Sequence, residues 1–304
     1  ATPLALGAYC GLFNERAGVV NIGIEGMMLV SAMTGQLIAQ YVASSWVGTP
    51  LESYGMPLAA LVGILTGALL GLLHAALSVT FKVDQIISGT VINIGALGVT
   101  GALYNVFLAG GQAAGVPSSP GTFPVIEIPI LSEIPILGQA VFSNKPVVYL
   151  MLILTFVIHY VLFYTPWGLR MRSVGENPKA ADTLGIDVYA TRYANVIIGG
   201  AIAGLAGIWF TLENIGTFNL NMTNGRGFIA LAALIFGKWT PLGSFAAALI
   251  FGLAQALQIQ LQVRDSQIPF QFLSMAPYIL TMLVLAGFVG RATPPAADGI
   301  PYEK

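Results

Sequence analysis

Seven stretches of twenty or more residues carry no Asp, Glu, Lys or Arg: 26–51, 53–81, 85–126, 146–169, 193–212, 239–263 and 266–290. Each is long enough to cross a bilayer as a helix, which needs about 20 apolar residues. A water-soluble surface cannot be built on such spacing, because soluble domains draw on about 25 % charged residues. This chain of 304 residues has 8 %, with 56 % apolar residues and a mean hydropathy of +0.80. The expectation is an all-α, polytopic transmembrane helix bundle forming one domain over 1–304. Its seven spans are placed near 27–46, 57–80, 86–109, 147–165, 193–213, 242–262 and 271–290. Two further apolar stretches, 1–13 and 227–237, are too short to cross alone and read as a clipped helix or half-helices, so the bundle is expected to contain broken or re-entrant helices. The chain opens Ala-Thr-Pro without Met or a basic stretch, so no signal peptide is expected and the first segment is treated as truncated.

Composition also excludes functions. A net charge of −1 without basic runs gives no footprint for nucleic acid. The lone Cys10 excludes a disulfide framework, and His74 and His159 stand far apart with no neighbouring ligand cluster, so neither a metal site nor a cofactor is expected.

Orientation follows the basic residues. The segment 166–192 holds Arg170, Arg172, Lys179 and Arg192, whereas the 37-residue loop 110–146 holds only Lys145. The first is expected on the cytoplasmic side and the second outside. Counting back from there places Lys82, Asp84 and the Asn14-Glu15-Arg16 cluster inside and 47–56 outside; a cytoplasmic tail is expected from Arg291. The external loop carries Pro117, Pro120, Pro124, Pro129, Pro135 and Pro146 and repeats Glu-Ile-Pro-Ile-Leu at 127–131 and 133–137. Proline at that density favours extended segments, serving as a connector or as a docking surface for an external partner. Gly63, Gly67 and Gly71, and likewise Gly200 and Gly204, recur every fourth residue, as in helices that pack closely in lipid.

Three segments depart from the bundle pattern. The first, around Asn14, Glu15, Arg16, Gly18, Asn21, Gly23, Glu25 and Gly26, sets charges, amides and glycines directly against apolar sequence. Two readings are open: a helix broken inside the membrane beside a pathway, or an ordinary loop with Glu25 complementing a helix N-terminus. In the second, Asn177 is an N-cap, Pro178 a first helical residue, Gly185 a stop and Asp187 a second cap, giving a short cytoplasmic helix. Ala180 and Ala181 give that helix a low-relief face that could seat in a soluble partner. The third is Asn219-Leu-Asn221-Met-Thr223-Asn224-Gly225-Arg226-Gly227, with eleven apolar residues between Arg226 and Lys238, which reads as a re-entrant half-helix. Its polar-then-apolar order echoes the first segment.

These three segments, Asn14-Glu15-Arg16-Ala-Gly18-Val-Val-Asn21-Ile-Gly23-Ile-Glu25-Gly26, Gly175-Glu176-Asn177-Pro178-Lys179-Ala180-Ala181-Asp182 and Gly225-Arg226-Gly227-Phe228-Ile229-Ala230, resemble the inner-membrane permease subunits of bacterial ABC importers, a group handling branched-chain amino acids and monosaccharides, in the branch nearest the nucleoside permeases. The resemblance implies a multi-pass subunit of the cytoplasmic membrane that moves a nucleoside or related sugar-containing solute by alternating access. It implies that Glu176 to Gly185 form the coupling helix. The partners it implies are a second permease, identical or homologous, ATP-binding subunits on the cytoplasmic side and an extracytoplasmic solute-binding protein. The chain has no Gly-x-x-x-x-Gly-Lys-Ser/Thr, so it cannot cradle ATP phosphates in a P-loop itself.

No catalytic residue is expected. For the solute pathway the polar groups within or at the ends of spans are the candidates: Asn21, Glu25, Asn93, Asn105, Glu213 and Asn214. Each has a competing reading as a helix-to-helix hydrogen bond. A permease of the same type for a monosaccharide or a branched-chain amino acid is the nearest alternative, and an ion-coupled secondary transporter is a rival from another class. An intramembrane hydrolase built on Ser88 and His159 is the remaining one, without a Gly-x-Ser-x-Gly elbow to support it.

Overall fold

The computed structural model describes residues 1–46, 48–109, 121–129, 131–135, 138–263, 275, 279 and 292–304. Apart from positions 275 and 279, the span expected at 271–290 lies outside the described residues, as does the start of the loop 110–146 with Pro117 and Pro120.

Ten α-helices are described: α1 Thr2–Arg16, α2 Ile24–Ser45, α3 Gly55–Ala75, α4 Gln85–Leu103, α5 Pro146–Tyr164, α6 Pro166–Glu176, α7 Pro178–Thr183, α8 Val188–Ile208, α9 Arg226–Phe236 and α10 Pro241–Val263. Three of them run on into wider π-helical turns, α3 through Thr80, α4 through Ala109 and α8 through Ile215. Among the described residues five helices are long and apolar enough to cross a membrane: Glu52–Thr80, Gln85–Leu108, Pro146–Tyr164, Val188–Ile215 and Pro241–Gln262. Each coincides with an expected span, because the charges that interrupt the sequence are also where the helices end. The expected first span, 27–46, is α2. The only described strands are Ile126–Glu127 and Ser143–Asn144, paired antiparallel in the loop 110–146.

Burial separates centre from periphery. In the apolar stretch of α8, 78 % of the residues are buried, against 22–28 % in α3, α4, α5 and α10. The centre also holds α1, in which every residue from Thr2 to Glu15 is buried. So the short apolar stretch at 1–13 is neither stray nor peripheral: it is the axis around which α8, α9 and α10 pack. The two glycine series meet one another. A Cβ at Gly67 would stand 2.6 Å from Gly204 Cα, and one at Gly71 would stand 2.7 Å from Val196 O. Side chains on either helix would force them apart and forfeit dispersion contacts along the seam.

Side-chain contacts assign the two ends of the bundle. At one end Arg16 donates through Nε and Nη2 to Trp239 O (2.9 and 2.7 Å), Ala297 N–H to Gly175 O (2.8 Å) and Arg192 to Ile300 O (3.0 Å). The ion pairs Lys82–Glu303 and Lys304–Asp182 lie there too. The basic residues expected inside, and the tail, thus share one end. At the other, Gln36 donates to Gly216 O and Phe123 N–H to Leu212 O.

One expectation is corrected. Segment 227–237 is a half-helix, α9, but it does not re-enter. Gly7 faces Ala230, Gly11 faces Leu234 and Arg16 reaches Trp239, so α9 runs parallel to α1. The chain enters from Gly216 at the opposite end, descends as irregular backbone through Gly225, and finishes the crossing as α9. It is a broken span.

Candidate functional site

Both broken segments start a helix with a glycine N-cap, Gly23 for α2 and Gly225 for α9, and neither glycine has a side chain to offer the free N–H groups of the first turn. The caps come from elsewhere in the fold. Asn93 on α4 accepts from Gly26 N–H through Oδ1 (2.7 Å) and donates from Nδ2 to Ile22 O (2.9 Å). Glu25, in the first turn of α2, accepts from Gly225 N–H (2.7 Å) and Gly227 N–H (2.6 Å) at the start of α9. Its carboxylate therefore closes the positive end of α9 from the first turn of α2. The helical chain is interrupted at 17–23, and Glu25 complements a helix N-terminus, that of α9.

The break at 17–23 is closed by α3 and α4. Gly18 takes a left-handed conformation (φ +81°) at its entrance. Val20 N–H donates to Gln85 Oε1 (2.7 Å), and Val20 O accepts from His74 Nε2 (2.9 Å). The Nδ1 of that ring accepts from Ser88 Oγ (3.0 Å). Asn21 accepts from Gly23 N–H through Oδ1 (2.9 Å). A Cβ on Gly89 would stand 2.7 Å from Gly23 N, so only glycine lets the break seat against α4. Gln85, Gly89 and Asn93 form one rail at helical spacing. His74, Gln85 and Gly89 escaped the reading of the sequence; their i, i+4, i+8 spacing on an otherwise apolar helix was the available signal for the last two. Ser88 has a histidine, but it is His74 rather than His159, and that ring holds a backbone carbonyl with no carboxylate behind it. His159 instead contacts the rings of Phe163 and Tyr164.

At the other end of α9, Glu15 accepts from Trp239 Nε1 while Arg16 holds the carbonyl of the same residue. The Asn14-Glu15-Arg16 cluster therefore grips the C-terminal end of α9 and Glu25 its N-terminal end. Asn14 accepts backbone N–H groups of Ala17 and Val19 at its carbonyl, closing α1. Of the remaining pathway candidates, Glu213 is buried and accepts from Val147 N–H (2.7 Å), capping α5, while Asn105 and Asn214 are exposed. Arg226 donates to Met222 O (3.1 Å) and lies over the Phe210 ring.

The second segment is built as its caps imply. Asn177 accepts from Ala180 N–H (3.0 Å), Pro178 opens α7, Gly185 (φ +80°) stops it and Asp187 accepts from Ala190 N–H (2.9 Å) to start α8. One expectation needs correcting: Ala180 and Ala181 do not share an outer face. Ala181 is buried against Val174, Val188 and Tyr302, and the outward residues are Lys179, Ala180, Thr183, Leu184 and Gly185. Leu184 is 80 % exposed, unusual for a leucine at the water-facing end of the bundle. Beside it a cleft of about 480 Å³ is lined by Trp167, Arg170, Leu184, Asp187 and Thr191. The tail passes underneath. Ala296 N–H reaches Glu176 Oε2 (3.3 Å), Tyr189 OH donates to Tyr302 O (3.3 Å), and Ala297 O lies against Gly18. Asp298 in the tail is held above the usual carboxylate range, chiefly by burial, with the Gly299 N–H and Arg192 opposing that. Among the described residues no group of His, Cys, Asp and Glu could hold a metal ion.

A nearly complete sequence match accompanies this geometry. The profile of the family described as the permease component of the branched-chain amino acid transport system matches residues 1–287. A guanosine ABC transporter permease protein of Bacillus subtilis, NupQ, is 45 % identical, covering 100 % of this chain and 94 % of the relative. A nucleoside ABC transporter permease protein of Lactococcus lactis, NupC, is 41 % identical over the same shares. A putative glucose ABC transporter permease protein of Haloferax volcanii, TsgC13, is 35 % identical, covering 96 % and 89 %. No solved structure matches. These relatives are transport components, and the apolar helices, the broken spans and the capped helix at the basic end fit a component of that kind: the chain is a multi-pass membrane protein belonging to the permease family of ABC transporters.

Proposed function

We propose that this chain is the permease subunit of an ABC importer for nucleosides in a bacterial cytoplasmic membrane, working as one transmembrane domain. The full-length likeness to two permeases named for guanosine and nucleosides carries the solute class. In this reading α7 is the coupling element. Its outer face, Lys179, Ala180, Thr183 and Leu184, seats on a cytoplasmic ATP-binding subunit, with Leu184 as the apolar knob and the neighbouring charges setting orientation. A second permease, identical or homologous, completes the pathway, and an extracytoplasmic binding protein delivers the solute. ATP favours one arrangement of the subunits over the other by differential affinity, and displacement of α7 is transmitted to the breaks through the tail and Gly175, whose Cα packs against the Arg16 carbonyl.

The test is guanosine uptake by cells carrying this chain with its ATP-binding and solute-binding proteins, comparing wild type with Ala180→Arg plus Leu184→Arg. ATP-dependent uptake that the double change abolishes, at unchanged membrane abundance, is the expected result. Uptake that survives the change overturns the assignment of α7. Uptake driven by an ion gradient instead overturns the ABC mechanism. A monosaccharide permease is the second reading, favoured by the likeness to the putative glucose permease; uptake blocked by glucose and indifferent to guanosine would establish it.

A further inference from the structure

We infer that Asn219, Asn221 and Asn224, with Phe228 one turn into α9, form a solute-contact site halfway across the membrane; this rests on the nucleoside reading above. The argument starts from depth. The 11 residues of α9 span about 16 Å, roughly half of a hydrocarbon core of about 30 Å. Glu25 pins the start of α9, so the chain just before it lies near mid-membrane. That chain, from Gly216 to Gly225, is irregular, and irregular backbone at such depth survives only inside protein or against a water-filled cavity. Here Gly216, Phe218, Met222 and Thr223 are buried, but the stretch is not wholly inside this chain. Asn219, Asn221 and Asn224 are exposed, their carboxamides accept and donate no hydrogen bond among the described residues, and Phe228 is 48 % exposed beside them. Lipid would penalise three unpaired carboxamides heavily. The surface therefore faces water.

The backbone presents these side chains deliberately. Asn221 (φ 55°) and Asn224 (φ 43°) both sit in the left-handed region, and Gly225 follows them there (φ 78°). Asparagine tolerates that conformation better than most residues. The peptide groups close on themselves, Met222 N–H on Asn219 O and Asn224 N–H on Asn221 O, which leaves the amide side chains as the groups on offer. A carboxamide pairs a donor with an acceptor and matches the edge of a nucleobase, and an aromatic ring offers a base a stacking surface. Arg226, beside the amides in sequence, is turned to backbone carbonyls and to Phe210. A set of neutral amides with a ring suits an uncharged, planar, hydrogen-bonding solute and disfavours a phosphorylated one, whose strongly hydrated charge would go unmatched. Several modest contacts along a path also permit release as readily as entry.

The test uses the assembled importer. Cys10, the single cysteine, is fully buried, so Asn219→Cys supplies one reactive thiol. A charged, membrane-impermeant methanethiosulfonate should label it, and guanosine should slow labelling. In parallel, Asn221→Gly plus Asn224→Gly removes two amides while keeping the backbone conformation. Maximal guanosine flux should fall about tenfold, with ATP turnover stimulated by the loaded binding protein unchanged; a merely structural role would lower both together. Absence of labelling would show that the surface faces lipid or protein and overturn the site. Labelling that guanosine leaves unaffected, with flux intact in the glycine variant, would also overturn it. Wild-type importer that takes up no nucleoside would instead defeat the proposed solute, while the labelling still reports whether the amides meet water.

Discussion

The two broken spans are written in the same residues, amides and glycines set against an apolar run, yet they end differently. In the break at 17–23 the polar groups of the backbone are taken up by Asn14, Asn21, His74, Gln85 and Asn93, and the loop is buried along most of its length. In the one at 216–225 three amides remain outward, without a side-chain hydrogen bond among the described residues. The first is a closed joint and the second an open one. What distinguishes them is not their own composition but whether neighbouring helices bring partners: α3 and α4 flank the first with a histidine and two amides. Glu25 links the pair, since it belongs to the helix that leaves the closed joint and caps the helix that leaves the open one.

Removing that link is the most damaging change. Glu25→Ala frees two N–H groups at the start of α9 and should cost about 3 kcal/mol, read as a lowered thermal midpoint in detergent and poor accumulation in the membrane; an unaltered midpoint would mean that the joints are independent. Next comes the closed joint alone. Asn93→Ala strips α2 of its cap and leaves Ile22 O unpaired, for a loss of about 2 kcal/mol, whereas Asn93→Asp should restore only the accepting half. A smaller effect is expected below the joints, at the tail. Because burial raises the Asp298 pKa, the docked tail binds a proton that the free tail has given up above its ordinary value of about 4. Docking should therefore weaken as pH rises from there to about 7 and level off above it. Amide exchange across 297–300, corrected for its intrinsic pH dependence, should show this, and Asp298→Asn should flatten the trend. The least effect on stability belongs to the open joint: Asn221→Gly should shift the midpoint by less than about 0.5 kcal/mol, since no protein contact is lost. A large drop there would erase the distinction between the joints.

Much of the architecture was legible because lipid leaves few options. Gaps between charges located α3, α4, α5, α8 and α10 within a few residues, and the basic residues sorted the ends. Local chemistry was equally readable at Asn177, Gly185 and Asp187, whose roles depend on neighbours three or four residues away. What escaped depends on distance in sequence. That Gly67 meets Gly204, that Asn93 caps a helix 67 residues earlier, and that Glu25 caps one about 200 residues later are tertiary facts no local window contains. Ala181 was misplaced for the same reason: its inward face is set by Tyr302 in the tail. For the re-entrant half-helix the missing information was direction, which only its parallel packing on α1 supplies.

The central position of α1 bears on how the protein is made. It leaves the ribosome well before α8, α9 and α10, which supply most of its surroundings, and its terminal trio Asn14, Glu15 and Arg16 acquires Trp239 only when more than two hundred further residues have been translated. Until then the acid and the base at the end of α1 lack the partner that holds them in the finished fold. The span completed by α9 is no better placed, with eleven helical residues and no cap of its own. Final seating of the two against one another is thus a late event in synthesis, and a chain stalled or cleaved before Trp239 would leave Glu15 and Arg16 without that partner.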